Sequence, residues 1–211
     1  MQIFVSGIDT DAGKTYCTAW LQRHLMDEGQ RVITQKFIQT GNVGSSEDIE
    51  AHRRIAGTGP FPEDAEGLTA PVIFSYPASA QLAARLDGRE IDLGVIDRAR
   101  EELARRYDTV LIEGAGGLMV PITDTFMAID YAATRNLPVA LVTNSRLGSI
   151  NHTVLSLEAI AARGIRLHSV LYNTWFDSAS ALIAEDTLGF IRRYLDRHFP
   201  GTPLHMVPVY K

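Results

Sequence analysis

A short stretch near the N-terminus, "GIDTDAGKT" from Gly7 to Thr15, combines the residue types of a phosphate-binding loop. It follows an apolar run, precedes a helical pattern, and holds one residue more between Gly7 and Gly13 than the usual pattern. A helix N-terminus presents unpaired backbone N–H groups to an anion, Lys14 can reach phosphate oxygens, and the Thr15 hydroxyl can bind Mg²⁺. We therefore predict a nucleotide site here.

Two acidic residues of this loop, Asp9 and Asp11, are unusual beside a triphosphate because like charges repel. A metal ion or a cationic substrate would offset them, which indicates a substrate that carries amines. The alternative is an ordinary strand-to-helix turn capped by Thr10 or Asp11, and the Gly-Lys-Thr run disfavours it.

A carboxylate ends a second apolar run in "TVLIEGAGG", where Glu113 follows a stretch apolar enough to be buried. A buried carboxylate is costly unless it is paired or holds a metal, so we favour a Mg²⁺ ligand. The glycines that follow, Gly114, Gly116 and Gly117, let backbone N–H groups face an anion. A tight turn without a ligand is the alternative.

Two polar residues follow an apolar run that lies earlier in the sequence, at 31–35. "TQKFIQTG" places Lys36 directly after a strand, with Thr40 close behind, although an exposed loop lysine would look the same. The chain has 17 Arg and three Lys, which indicates that Lys14 and Lys36 lie where a compact ammonium is needed. The alternative is a GC-rich coding bias that spared the two lysines by accident. In "SSEDIEAH", Asp48 is either a helix N-terminal charge or a second-sphere Mg²⁺ ligand, which does not contact the ion directly.

Two later segments can bind other parts of a ligand. "RLGSINHT", 146–153, starts a helix after a strand, so the N–H groups of 148–151 and the Asn151 amide can bind a carboxylate, and His152 is given no role. Asn173 ends a strand, and its side-chain amide can form hydrogen bonds with the edge of a purine base. The run "NTWFD" lacks the Asn-Lys-x-Asp pattern of GTPases, so guanine selection is not supported.

The elements that must position these residues alternate along the chain. Strands are predicted at 2–6, 31–35, 109–113, 138–143, 168–173 and 204–209. Helices are predicted at 14–28, 47–56, 92–106, 125–135, 150–163 and 179–197. The alternation predicts an α/β fold, a doubly wound parallel sheet with helices on both faces, and ligands collect beyond the carboxyl ends of its strands. The interval 57–91 is predicted to be mostly loop, functional or mobile, with a short helix near 79–87.

The composition limits the classes of function. The 211 residues, 45% of them hydrophobic, and the lack of a linker indicate one domain, 1–211. A formal charge of −5 argues against nucleic-acid binding. No signal peptide or run of membrane-spanning length is recognised, so a soluble, cytoplasmic protein without a membrane partner is expected. Cys17 is expected in a helix core.

Several motifs, taken together, resemble the dethiobiotin synthetases. They are "GIDTDAGKT", "QKFIQTG", "EDIEAH", "LIEGAGGLMVPITDTF", "LVTNSRLGSINHT" and "YNT", in the family's order over essentially the whole chain. The lengthened phosphate loop is itself a family trait. Phe37 stands where the family usually has proline, and Gln81 lies near a place where many members carry histidine.

The resemblance implies an ATP- and Mg²⁺-dependent homodimeric enzyme that closes the ureido ring of dethiobiotin from 7,8-diaminononanoate and CO₂ through a carbamate and a carbamic-phosphoric anhydride. Carried over by position, Lys14 and Lys36 act in catalysis, and Thr15, Asp48 and Glu113 hold Mg²⁺. The implied nucleotide contacts are Asp11, Ala12, Gly13, Lys14, Thr15, Tyr16, Asp48, Glu113, Gly114, Ala115, Gly116, Asn173, Pro208, Val209 and Tyr210. The implied substrate contacts are Thr10, Thr40, Gly148, Ser149, Ile150 and Asn151.

Three other functions stay open at this point. A cobyrinate-type amidating ligase usually carries a glutaminase domain with a reactive cysteine, which is not recognised here. A nucleotide-switched partition or positioning ATPase, which acts through protein partners, commonly has a lysine near the place of Asp9. A catalytically inactive nucleotide-binding module would be expected to lose Lys14, Thr15 or Glu113.

Overall fold

The computed structural model describes residues 1–209, apart from the side chain of Ser178. The strands are β1 (Gln2–Gly7), β2 (Val32–Lys36), β3 (Gln39–Thr40), β4 (Ile73–Phe74), β5 (Thr109–Gly117), β6 (Val139–Asn144), β7 (Leu167–Asn173) and β8 (Leu204–Val207). The α-helices are α1 (Lys14–Asp27), α2 (Glu47–Ala56), α3 (Pro62–Ala65), α4 (Ala80–Leu86), α5 (Leu93–Arg106), α6 (Ala128–Thr134), α7 (Ser149–Ala162) and α8 (Ala181–His198), and a 3₁₀ helix covers Thr174–Ala179.

The main sheet has six strands in the order β2, β5, β1, β6, β7, β8, and all pairs between these strands are parallel. This order places β1 in the interior of the sheet, with β5 and β6 beside it. The carboxyl ends of β1, β2 and β5 therefore lie at one edge, and the predicted doubly wound parallel fold is confirmed.

Alternate side chains of each strand enter cores on opposite faces of the sheet. Ile3 and Val5 of β1 pack in one cluster with Cys17 of α1, whereas Phe4 packs in the other with residues of α5 to α8. This period of two is what a sheet covered on both faces requires. The predicted place of Cys17 in a helix core is confirmed.

The interval 57–91 holds more structure than a loop. It contains α3, the strand β4 and the expected short helix α4, and β4 pairs with β3 in a separate two-stranded parallel sheet. Strands of two residues are too short for a periodic pattern, which is why the sequence does not reveal them. Its segment 68–69 also lies along the free edge of β2, where Lys36 N donates to Thr69 O at 2.7 Å and Gln35 Nε2 donates to Leu68 O at 3.0 Å.

The helices of residues 1–209 include none that is both long enough and apolar enough to cross a membrane.

Candidate active site

The loop between β1 and α1 presents backbone N–H groups to the crevice. Gly13 is the N-cap of α1 in the left-handed region, with φ of 91°, and within residues 1–209 no side chain caps this helix. Asn173, at the end of β7, holds the loop by donating from Nδ2 to Ala12 O at 3.2 Å. Lys14 lies along the loop and donates from Nζ to the carbonyls of Asp9, at 3.0 Å, and Thr10, at 2.8 Å. The helix start and the lysine thus offer donors to an anion.

We predict that Gly13→Ala lowers both stability and nucleotide affinity. A Cβ on Gly13 would lie 2.1 Å from Asn173 Nδ2, and the left-handed backbone adds a cost of about 1–2 kcal/mol. Thermal unfolding and an ATP titration measure the two effects. Gly29→Ala is the matched control, because Gly29 has φ of 88° with no atom within 4 Å of the added Cβ. If the two variants were equally destabilised and bound ATP equally well, the contact with Asn173 would not matter.

Two carboxylates and a lysine meet beside the loop. Lys36, at the end of β2, lies directly opposite Glu113 in the register of the sheet, and its Nζ is 2.7 Å from Glu113 Oε1 and 2.5 Å from Asp48 Oδ2. The Thr15 hydroxyl lies 2.8 Å from Asp48 Oδ1 and 3.1 Å from Glu113 Oε1. Asp48 is in the first turn of α2, which Ser46 caps by accepting from Ile49 N.

The charges of this cluster stabilise one another. Burial alone would raise the pKa of the Glu113 carboxyl, but the charge of Lys36 and the hydrogen bond from His52 hold that pKa well below its usual range. Burial alone would lower the pKa of Lys36, but Glu113 and Asp48 raise it above its ordinary value. Burial, together with the nearby charge of Lys36, lowers the pKa of Lys14. Lys36 therefore stays charged at neutral pH, and Glu113 stays ionised.

The donor set of this cluster fits a magnesium ion. Among the described residues no group of three or more His, Cys, Asp or Glu side chains could hold a metal. Mg²⁺, however, is commonly bound by one or two carboxylates together with water and substrate phosphates. Asp48 and Glu113 each place a carboxylate oxygen within 3.1 Å of the Thr15 hydroxyl, so three hard oxygen ligands lie next to the phosphate loop.

A cleft of about 610 Å³ contains the cluster, which is a typical size for a small-molecule site. The predicted site residues that line it are Thr10, Asp11, Gly13, Lys14, Thr15, Tyr16, Lys36, Thr40, Asp48, Glu113, Ala115 and Gly116. A second cleft, of about 650 Å³, lies on the opposite side of α2 and is lined in part by Ile49, Arg53 and Asp64. The second cleft lacks a phosphate loop, so the first is the candidate active site.

The predicted carboxylate-binding segment lies at the end of β6, outside the lining of this cleft. Gly148 has φ of 94° and is the N-cap of α7, and Ser149 Oγ donates to Asn144 Oδ1 at 2.6 Å. Ile150 and Asn151 follow in the first turn. Asn144, which also accepts from Arg146 N, fixes the segment and is not identified by the sequence analysis.

The predicted adenine contacts lie on the other side of the loop. Asn173 is buried, and its Oδ1 accepts from Trp175 N at 3.1 Å, so both of its polar atoms have partners within the chain. Tyr16 Oη donates to Pro208 O at 2.7 Å, which places Pro208 and Val209 beside α1. Tyr210 lies outside the described residues.

The two positions that depart from the family pattern have partners in the fold. Phe37 is fully buried, with its ring 5.5 Å from that of Phe4 and 4.6 Å from that of Tyr131. Gln81 Nε2 donates to Asp124 Oδ1 at 2.6 Å.

His52 is part of the cluster and is missed by the sequence analysis. It is fully buried, and its Nε2 lies 2.6 Å from Glu113 Oε2. Its spacing of four residues from Asp48 places both side chains on one face of α2, which is the signal that could have identified it.

The sequence matches a family model and several curated proteins. A family model described as an AAA domain matches residues 1–201. The ATP-dependent dethiobiotin synthetase BioD 2 of Pasteurella multocida is 45% identical over 199 residues, which cover 94% of this chain and 93% of the relative. The BioD 2 of Haemophilus influenzae is 50% identical over 171 residues, which cover 81% and 90%.

A solved structure gives the same fold. A putative plasmid partition protein from Borrelia burgdorferi bound to AMPPNP matches with a TM-score of 0.57 at 12% identity, over 97% of this chain and 86% of that one. At this identity the similarity shows the fold alone.

Proposed function

The chain belongs to the family of ATP-dependent dethiobiotin synthetases, and from this membership we propose that it closes the ureido ring of dethiobiotin. One amine of 7,8-diaminononanoate adds to CO₂ and forms a carbamate. A carbamate oxygen then takes the γ-phosphoryl group of ATP, and ADP leaves. Finally the second amine attacks the carbonyl carbon, the ring closes, and phosphate is released.

The observation that carries the proposal is the second lysine. A phosphate loop alone suits any ATP-binding protein, but here Lys36 lies in the same cleft, held by Asp48 and Glu113. A carbamate is an anion that must be placed close to the γ-phosphate. The Lys36 ammonium can bind it there, while Lys14 binds phosphate oxygens and balances the charge that develops on them.

Mg²⁺ is the proposed cofactor, with Thr15, Asp48 and Glu113 as its ligands. When bound, it neutralises charge on the β- and γ-phosphates of ATP. The protein neutralises the remaining phosphate charge through donors that are already oriented. These are the N–H groups at the start of α1 and the ammonium groups of Lys14 and Lys36.

The remaining contacts are proposed from the resemblance. Thr10 and Thr40 contact the diamine, which their place in the lining of the cleft supports, and the start of α7, 148–151, binds its carboxylate. The backbone at 114–116 contacts the phosphates, and Asn173 and 208–210 flank the adenine.

We further propose that the enzyme is a cytoplasmic homodimer of one-domain subunits. Leu147, Leu155 and Met119 are 86%, 60% and 54% exposed. Leu147 lies just before α7, Leu155 lies in its middle, and Met119 lines a cleft together with Leu155. Burial of these apolar side chains by a second copy would stabilise a dimer and place the substrate site close to the interface.

The test is phosphate release from Mg-ATP, measured with and without 7,8-diaminononanoate and bicarbonate, with products identified by mass spectrometry. We expect release that depends on the diamine and yields the cyclic urea. ATP hydrolysis that ignores the diamine and gives no cyclic product would contradict the proposal. It would favour instead an ATPase that acts through protein partners, an alternative that the sequence relatives do not favour.

A further inference from the structure

His52 is a buried polar side chain to which the proposed mechanism gives no role. Its Nε2 lies 2.6 Å from Glu113 Oε2, and its Nδ1 lies 3.0 Å from Thr34 Oγ1. Both ring nitrogens thus have partners, and one partner is a proposed metal ligand.

The hydrogen bonds around His52 hold its ring at both nitrogens. An ionised Glu113 can only accept, so Nε2 carries a proton and donates it to the carboxylate. The Thr34 hydroxyl, which accepts from Arg53 Nη1 at 2.8 Å, contacts His52 Nδ1. The network therefore directs Nε2–H at Glu113.

The far end of this chain of hydrogen bonds is anchored. Arg53 binds the carboxylate of Asp64 through two nitrogens, Nε at 3.0 Å and Nη2 at 2.7 Å. A planar guanidinium held at two points fixes the direction of its remaining N–H groups. The orientation of His52 is thus set by residues outside the cleft.

We propose that His52 is a positioning residue, which fixes the Glu113 carboxylate so that Oε1 faces Thr15 and Lys36 while Oε2 is held from behind. A carboxylate bound through one oxygen alone can rotate about its terminal torsion, which is soft. With Oε2 held, Oε1 keeps the orientation that a metal ligand needs. This inference rests on the proposed function, because it assigns Glu113 to the Mg²⁺ of the same site.

The alternative is a histidine that only fills the core. In that case its loss would lower stability and leave metal affinity unchanged. The two interpretations therefore differ in metal binding, which can be measured without turnover.

The experiment titrates Mg²⁺ into protein saturated with a non-hydrolysable ATP analogue and follows binding by calorimetry. His52→Met keeps an apolar side chain in place and removes the donor, and we expect Mg²⁺ affinity to fall about 10- to 100-fold, the usual effect of losing a partner of a metal ligand. Affinity for the analogue in EDTA should stay within about twofold. His52→Gln restores an N–H donor and should recover most of the loss.

A matched control separates positioning from stability. Gln22 is fully buried on α1 and donates to Val32 O at 3.3 Å, away from the cluster, so Gln22→Met removes a buried hydrogen bond without touching Glu113. It should lower the melting temperature and leave Mg²⁺ affinity unchanged. Equal Mg²⁺ affinity in His52→Met and the unmodified protein, or equal losses in His52→Met and Gln22→Met, would overturn the proposal.

Should His52→Met not fold, Thr34→Val is the second variant. It removes the hydroxyl that contacts Nδ1, and we expect a smaller loss of Mg²⁺ affinity in the same titration, whereas unchanged affinity would count against the proposal. These results do not depend on ring closure, so a failure of the proposed reaction is seen separately in the phosphate-release test with unmodified protein.

Discussion

Lys14→Ala should reduce ring formation by a factor of about 10³ or more, because a preorganised charge on the transferred phosphoryl group is lost. Lys14 is 6% exposed and follows the N-cap of α1, so its ammonium is held next to the phosphate loop. Alanine is a good helix former, so the helix itself should persist. Product formation under saturating ATP, diamine and bicarbonate measures the effect, together with a melting curve.

Arg23→Ala is the control for this variant. Arg23 lies on the same helix, and its side chain is 53% exposed in an ion pair with Asp27. Removing an exposed ion pair has little effect on stability, so activity should stay close to that of the unmodified protein. Turnover in Lys14→Ala within about tenfold of the unmodified protein would exclude Lys14 from the proposed charge balance.

Lys36→Gln is expected to separate nucleotide binding from ring closure. In the proposed site the start of α1 and Lys14 hold most of the ATP phosphates, so ATP affinity should change by no more than about threefold. The carbamate loses its cationic partner, and turnover should fall about 10²- to 10³-fold. ATP binding is followed by calorimetry and ring formation by mass spectrometry.

Stability has to be measured beside these two quantities. Replacing one partner of a buried ion pair leaves charge uncompensated, at a cost of about 3–5 kcal/mol, and here both Asp48 and Glu113 lose a partner. Added Mg²⁺ should restore part of the melting temperature, since it supplies positive charge to the same carboxylates. Arg31→Gln, an exposed ion-pair variant just before the same strand, is the control. Full activity in Lys36→Gln would remove Lys36 from the mechanism.

Much of the fold follows from patterns in the sequence. Apolar runs such as "QIFVS" and "TVLIE" give buried parallel strands, and the main helices lie within a few residues of their predicted bounds. The pattern fails where an element is too short to have a period, as in β3 and β4. Predicted strand ends also shift: β5 continues to Gly117 because its glycines still pair with β1.

The site could be predicted only in part. The phosphate loop, Lys36 and Glu113 can be recognised because each lies at or directly after the end of an apolar run in the sequence. His52 shares a face of α2 with Asp48, but its contact with Thr34 joins α2 to β2, and no local spacing defines that contact. The use of Asn173 as a tether for the loop depends on residues 161 positions apart, which a single sequence does not pair.

The covering of β2 by the segment 68–69 has a consequence for the integrity of the enzyme. β2 is an edge strand, and the unpaired backbone N–H and C=O groups of an exposed edge can form hydrogen bonds with another protein chain. Thr69 O and Leu68 O occupy part of that edge. If the segment 68–69 separated from β2, the edge of β2 could pair with a strand of another protein chain. Lys36 could then also lose its alignment with Glu113 while the rest of the sheet stayed folded. Hydrogen exchange of the Lys36 amide therefore reports how often the segment 68–69 separates from β2, because this N–H donates to Thr69 O.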